Sequence, residues 1–374
     1  MLTMKTYIVI GAGILGASTA YHLAKQGAAV IIVDRSDIGQ ATDAAAGIVC
    51  PWLTNRRNKA WYQLVTSGAK YYPTLIKDLE ASGDMETGYA RVGAINIFDT
   101  EEKLDKKMEF ALKRRESTPE MGEITRLSQA ETKAMFPPLS DEYGAVHVSG
   151  GARVNGGALR DALIQSAKKN GATFVVGDAS LSFEGTNVTG VKVNDETLYA
   201  DEVIVTGGVW SKQLLGPLGM NFLVTSQKAQ IVHLEMPDTD TNDWPVVMPP
   251  FNQYLLTFEN GKIVIGATHE ENVGLDSRVT MGAVHEIIDK ALRVAPGLAV
   301  STYIETKVGF RPFTPGHLPV IGRVPHYEGL LVANGLGASG LTSGPYLGAE
   351  LAKLALGYPT ELELSNYDVA GAFG

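Results

Sequence analysis

The sequence predicts an α/β chain (α+β overall), a Rossmann-like doubly wound unit joined to a second, mainly antiparallel sheet. Three stretches predict it. Tyr7 to Asp34, YIVIGAGILGASTAYHLAKQGAAVIIVD, reads as strand, glycine turn, helix and second strand without interruption. Near the C-terminus, the strand Leu330 to Ala333, the glycine turn Asn334 to Gly340 and the helix Tyr346 to Leu356 follow one another. Between them, Gln227 to Glu235 alternates as a strand, and Tyr254 to Glu259 and Lys262 to Thr268 flank Asn260-Gly261, a strong hairpin signal.

The N-terminal stretch carries the most chemistry. Gly11, Gly13 and Gly16 form GxGxxG directly after an apolar strand and at the start of a helix, the context that a dinucleotide-binding fingerprint requires. Gly11 permits the tight turn, Gly13 lets the backbone approach a pyrophosphate, and Gly16 lets helix and strand pack closely. A pyrophosphate on the helix N-terminus meets unpaired N–H groups and the positive end of the dipole. Asp34 ends the second strand, where a carboxylate can accept hydrogen bonds from an adenosine ribose. The fingerprint alone leaves FAD and NAD both open.

Composition bounds the function classes. With 374 residues, 45% hydrophobic and 20% charged, the chain has the usage of an ordinary soluble protein and the length of about two domains. A net charge of -9 provides no field for nucleic acid, and Lys113-Arg114-Arg115 reads as a solvated helix end. One cysteine, Cys50, excludes an internal disulfide and any cysteine cluster. The histidines lack metal-ligand spacing, so no metal site is expected. MLTMKTYIVIG lacks the features of a signal peptide, and no apolar run reaches the ~20 residues that span a bilayer. A cytoplasmic protein is expected, with oligomeric state, including a homo-oligomer, left open.

Along the chain, the small residues of Ile38 to Trp52 either pack as a tight helix or offer backbone N–H groups to a ligand. Lys59 to Glu80 reads as a helix, Val92 to Phe98 as a strand, and Glu101 to Arg115 as a surface helix with acids first and bases last. Asn155 to Lys169 is helical, Thr173 to Val176 a strand, and short alternating strands follow around Leu181, Val188 to Val193 and Leu198. Val203-Ile204-Val205 is a buried strand, and Gly282 to Val294 an amphipathic helix.

The blocks GAGILGASTAYHLAKQG, ATDAAAGIVCP, GGARVNGGALRDAL, EVIVTGGVWS, VIGATHE, GFRPFTPGHLPVIG and LLVANGLGASGLTSGP, in that order, resemble the D-amino-acid oxidase superfamily of FAD enzymes. The likeness covers nearly the whole chain and looks most like glycine oxidase, sarcosine oxidase and D-amino-acid dehydrogenase-type proteins. It implies interleaved domains, with 1–84, 150–215 and 305–374 binding FAD and 85–149 and 216–304 binding substrate. It also implies that Ile14, Leu15, Asp34 and Arg35 serve the dinucleotide beside Gly11, Gly13 and Gly16. Ala41, Thr42, Ala46, Gly47 and Ile48 would then lie along the pyrophosphate or flavin. Leu336, Gly337, Ala338, Ser339, Gly340, Leu341 and Thr342 would face the flavin. Sarcosine oxidases hold the flavin through a cysteine before the return strand; Lys307-Val308-Gly309-Phe310 has none, so noncovalent FAD is expected.

For substrate, the resemblance points to Arg311, whose planar fork suits a carboxylate and whose apolar neighbours demand an anion. The competing reading is a buried ion pair with a protein acid. Tyr254 and His269 fall where glycine oxidase-like proteins meet substrate; a core tyrosine and a surface histidine remain the alternatives. Glycine oxidases would place a second arginine in the C-terminal glycine turn, where this chain has Ala338. That departure puts the glycine assignment in doubt and leaves the small amino-acid substrate open among glycine, sarcosine, a bulkier D-amino acid and a related N-substituted amino acid. The implied reaction moves hydride from the substrate Cα to flavin N5, leaving an imine that water hydrolyses to a 2-oxo acid. No side-chain base is assigned, since the flavin does the chemistry. Electrons would pass to O2 or to a quinone or protein acceptor. Two other readings stay open: an NAD-dependent dehydrogenase, and a flavin-binding subunit whose partner supplies catalysis.

Overall fold

Tyr7-Ile8-Val9-Ile10 is apolar at every position because the strand it forms, Thr6–Ile10, is covered on both faces. A computed structural model describes residues 5–83 and 86–374; the 84/85 domain boundary expected from sequence lies outside the described residues. Thr6–Ile10 is central in a six-stranded sheet ordered Val320–Arg323, Leu330–Asn334, Glu202–Val205, Thr6–Ile10, Ala29–Asp34, Thr173–Val176. The first pair is antiparallel and the others are parallel. Tyr7 and Val9 join the core shared with the helices Ile14–Lys25, Gly156–Lys169 and Gly340–Leu356. Ile8 and Ile10 join the other core, with Leu181, Val188, Val191 and Val193 of a three-stranded antiparallel meander. The alternation is the period-two geometry of a strand.

The last helix begins earlier than Pro345 suggests. It runs Gly340–Leu356 with the proline inside it, although Tyr346 is the start expected from sequence. Proline cannot donate to the carbonyl four residues back, that of Leu341. The hydroxyl of Tyr72, on the helix Lys59–Ala81, donates to the Leu341 carbonyl instead. Ser18 Oγ donates to the Pro345 carbonyl at 2.6 Å. Close helix contacts explain the glycines here: a Cβ on Gly348 would lie 2.6 Å from Ser18 Cβ, and one on Gly68 2.2 Å from the Thr342 carbonyl oxygen.

The second sheet has eight strands in the order Thr302–Phe313, Thr225–Glu235, Lys262–Gly266, Tyr254–Thr257, Val246–Met248, Ala94–Phe98, Gly144–Val148, Ile124–Leu127. All its pairs are antiparallel except Val246–Met248 with Ala94–Phe98. One face packs on the amphipathic helix Met281–Val294 through Ile287, Ala291 and Val294. Asn260 and Gly261, at φ 60° and 72°, make the hairpin turn, which needs left-handed backbone at both positions. Thr302–Phe313 stays in this sheet for its whole length. The 304/305 division expected from sequence therefore cuts an element, and residues 305–313 belong to the larger sheet.

Among the described residues, no helix is long and apolar enough to cross a membrane. His22 links two helices as a neutral ring: its Nδ1–H donates to the Ser18 carbonyl at 2.7 Å, and its Nε2 meets the Tyr71 hydroxyl at 2.5 Å. Burial lowers its pKa from 6.5 to about 4. The folded state therefore binds fewer protons than the unfolded chain between those values, and stability is lost as pH falls through that window. The expected loss is on the order of 1–3 kcal/mol. Urea unfolding at neutral and acidic pH should show a smaller acid loss in His22→Gln than in the native protein; equal losses would remove His22 from the account.

Candidate active site

A cleft of about 1200 Å³ is walled by residues of both sheets. At its first end the three fingerprint glycines do different things. A Cβ on Gly11, at φ +99°, would sit 2.8 Å from the Thr206 carbonyl oxygen, and one on Gly16 would sit 1.8 Å from that of Gly11. Both are packing requirements of the turn. A Cβ on Gly13 would meet only Thr42 Oγ1, at 3.4 Å, so protein packing leaves its outer side open to the cleft. Gly13 also begins the helix with no side-chain cap. Of the N–H groups freed there, Ile14 N–H donates to Thr42 Oγ1 at 2.9 Å.

Asp34 braces this turn from the neighbouring strand. Its carboxylate accepts from Ala12 N–H at 2.6 Å, Ser36 N–H at 2.6 Å and Gln40 Nε2 at 2.9 Å. Arg35 is held by Asp37 at 2.6 Å and Asp178 at 2.8 Å; its charge is already compensated within the protein.

The small-residue run Ile38 to Trp52 forms no helix; it is irregular backbone with a two-residue strand, Ile48–Val49. Gly47, at φ +101°, lies where a Cβ would come 1.9 Å from the Val154 carbonyl oxygen. Thr342 Oγ1 donates to the Ile48 carbonyl at 3.0 Å, tying this run to the C-terminal glycine turn. With the exception of Gly16, every residue singled out in the sequence for cofactor or substrate lines this one cleft.

The shape and donors fit FAD. Helix N–H groups flank the open side of Gly13, acids stand at the Asp34 end, and a bed of small residues leads to the turn Leu336–Thr342. The lone thiol, Cys50, also lines the cleft but is buried, which raises its pKa to about 12 and keeps it protonated. Acid precipitation of the holoprotein should release the yellow colour to the supernatant. Colour retained in the pellet would show a covalent flavin.

The substrate-binding candidates lie on the cleft face of the larger sheet. Arg311 stands directly opposite Gln227 in the strand register, and its Nη1 donates to Gln227 Oε1 at 2.9 Å. Gln227 Nε2 in turn donates to Glu271 Oε1 at 2.5 Å. Among the described residues, no carboxylate lies within 4.0 Å of the Arg311 guanidinium in an ion pair. Burial lowers its pKa, and nearby Tyr254 and Glu271 oppose that shift. Tyr254 crosses over Gly266, where a Cβ would be 3.0 Å from its hydroxyl. Burial raises the Tyr254 pKa to about 12 against the pull of Arg311, so its hydroxyl keeps its proton at neutral pH. His269 stands at the exposed rim with its ring partly covered; that partial desolvation, and then the charge of Arg311, lower its pKa.

Sequence reasoning passed over three polar groups here. Arg56 donates to the His317 carbonyl and lies 4.4 Å from the Trp61 ring. Lys107 donates to the Leu53 carbonyl at 3.1 Å. Asn96, in the sheet, has a buried Nδ2 with no hydrogen-bond partner. Among the described residues, no group of three or more His, Cys, Asp and Glu side chains is arranged to hold a metal.

The family model for FAD dependent oxidoreductases (DAO) matches residues 6–354. The chain is 62% identical over 370 residues to the Bacillus subtilis (strain 168) protein "Uncharacterized oxidoreductase YurR", covering 99% of this chain and all of that protein. It is 28% identical to a glycine oxidase of Pseudomonas putida, covering 91% of this chain and 92% of that one. Among solved structures, iminodiacetate oxidase (IdaA) from Chelativorans sp. BNC1 superposes with a TM-score of 0.94 at 44% identity, over 97% of this chain and 98% of that one. The match sets aside the NAD-dependent reading. The chain belongs to the DAO family of FAD-dependent oxidoreductases.

Proposed function

We infer that this protein oxidises the CH–NH bond of a small N-substituted amino acid, releasing an amine and a 2-oxo acid. The observation that carries the reading is Arg311, a half-buried fork on the cleft wall whose hydrogen-bond partners within the protein are an amide and a phenol, the nearby Glu271 being bonded to Gln227 instead. Such a fork has no hydrogen-bonded anion of its own and is matched by a substrate carboxylate. Two features favour a secondary over a primary amine. Ala338 stands in the glycine turn where glycine oxidase resemblance asks for arginine, and the 44% identical structure is named for oxidising iminodiacetate, itself a secondary amine.

The division of labour follows from chemistry. FAD, when bound, supplies the acceptor for the hydride that leaves the substrate carbon. Arg311 holds the substrate carboxylate, Gln227 fixes the guanidinium plane, and Glu271 fixes Gln227. The protonated Tyr254 hydroxyl can donate a further hydrogen bond to the same carboxylate. Orientation of the Cα–H is therefore the main contribution of these residues. Water hydrolyses the resulting imine without any further group.

The test is a product assay on the isolated protein with an artificial electron acceptor, offering sarcosine, iminodiacetate, glycine, D-alanine and D-proline. N-substituted amino acids should release 2-oxo acid fastest. Faster turnover of glycine or D-alanine would overturn the secondary-amine reading, and no turnover without added protein would favour a partner-dependent subunit.

A further inference from the structure

Charge is unevenly distributed along the cleft. The carboxylates among its lining residues, Asp34, Asp37 and Asp178, all stand at the end where Arg35 is paired. Towards the larger sheet the lining holds five cations: Lys103 and Lys106 are paired with Asp99 and Glu102, whereas Arg311, Arg56 and Lys107 have no carboxylate partner within 4.0 Å among the described residues. One substrate carboxylate satisfies Arg311 and leaves the others uncompensated.

Arg56 is the one built to take a second carboxylate. Its guanidinium lies over the Trp61 ring, 4.4 Å from the ring centroid, and is anchored by one donation to the His317 carbonyl. Most of its five donors stay free. Trp61 Nε1 donates to Ser339 Oγ at 3.3 Å, which places the pair beside Ala338, in the turn that lacks an arginine of its own. The link back to Arg311 runs along one strand. Arg311 and Phe313 share a face, two positions apart. The Phe313 ring packs on the His317 ring at 4.8 Å, and His317 supplies the carbonyl that Arg56 holds. Arg56 and Arg311 thus line one cleft, connected through Phe313 and His317.

We propose that Arg56 forms a second carboxylate site, and that the substrate is an N-(carboxyalkyl) amino acid, a dianion with one carboxylate on each side of the nitrogen. The proposal rests on the reading of the reaction given above and adds to it the second charged arm.

Non-oxidisable ethers separate the two readings, because they bind without turnover. Oxydiacetate carries two carboxylates about an oxygen; methoxyacetate carries one. Titrating native holoprotein with each, and following the perturbation of its flavin absorbance, should give at least about tenfold tighter binding of oxydiacetate. In Arg56→Gln this ratio should fall towards one, with Arg56→Lys between, since an ammonium keeps the charge but not the fork. Arg311→Gln should weaken both ligands. A native ratio near one, or a ratio unchanged in Arg56→Gln, overturns the proposal; so does a ratio lost in Lys107→Gln but kept in Arg56→Gln. If Arg56→Gln does not retain FAD, Arg56→Lys decides by the same ratio. Should the ratio behave as expected while no N-substituted amino acid is oxidised, the reading of the reaction fails and the second site stands.

Discussion

Gly13→Val protein should purify colourless. The effect does not come from the protein's own packing: a Cβ at residue 13 has only Thr42 Oγ1 within 4 Å, at 3.4 Å. What the valine occupies is the space beside the uncapped helix N-terminus, where a pyrophosphate must approach the backbone. Fold and secondary structure should be retained, with circular dichroism close to native, while flavin content falls to near zero. Gly16→Val makes the contrast, since its Cβ would lie 1.8 Å from the Gly11 carbonyl oxygen; that variant should lose stability as well as flavin. A yellow Gly13→Val protein with native flavin content would show that the cofactor does not cross this turn.

Arg311→Ala should keep its flavin and lose most of its grip on substrate. Removing one member of a buried charged pair costs about 2–5 kcal/mol, roughly 30-fold to several thousand-fold in affinity. Gln227 and Glu271 remain bonded to one another in the variant, so the wall should hold. The role of the carboxylate is isolated by comparing sarcosine with dimethylamine, which lacks that group. Native protein should discriminate strongly, and Arg311→Ala should lose most of the discrimination. Arg311→Lys should recover part of it, because a point charge lacks the bidentate geometry. Loss of fold or flavin with discrimination intact in the remaining holoprotein would make Arg311 a structural residue.

The first turn was readable because its requirements are local: glycine spacing, an apolar strand and a helix start all fall within Thr6–Lys25. The start of the last helix was misread because its support is not local. At Pro345 the donor that the proline lacks is supplied by Tyr72, distant in sequence. Three strands of the larger sheet, Ile124–Leu127, Gly144–Val148 and Val246–Met248, are five residues or fewer and show no clean alternation. Thr125 and Arg126 are both exposed, for example. Arg56 sits in the polar run Thr54-Asn55-Arg56-Arg57-Asn58, which reads as surface; only its stacking on Trp61 and its bond to His317 bring it to the cleft. Tyr254 gave no sign of its direction, because what admits it is the bare backbone of Gly266 on the neighbouring strand.

The most direct measurement is anaerobic titration of the purified yellow protein with sarcosine and with iminodiacetate, no other protein present. The account predicts that the oxidised flavin absorbance bleaches in proportion to added substrate and that air or an artificial acceptor restores it. Glycine and D-alanine should bleach it more slowly. A flavin that stays oxidised with every N-substituted amino acid, yet is reduced readily by a primary amino acid or only after a second protein is added, would contradict the account.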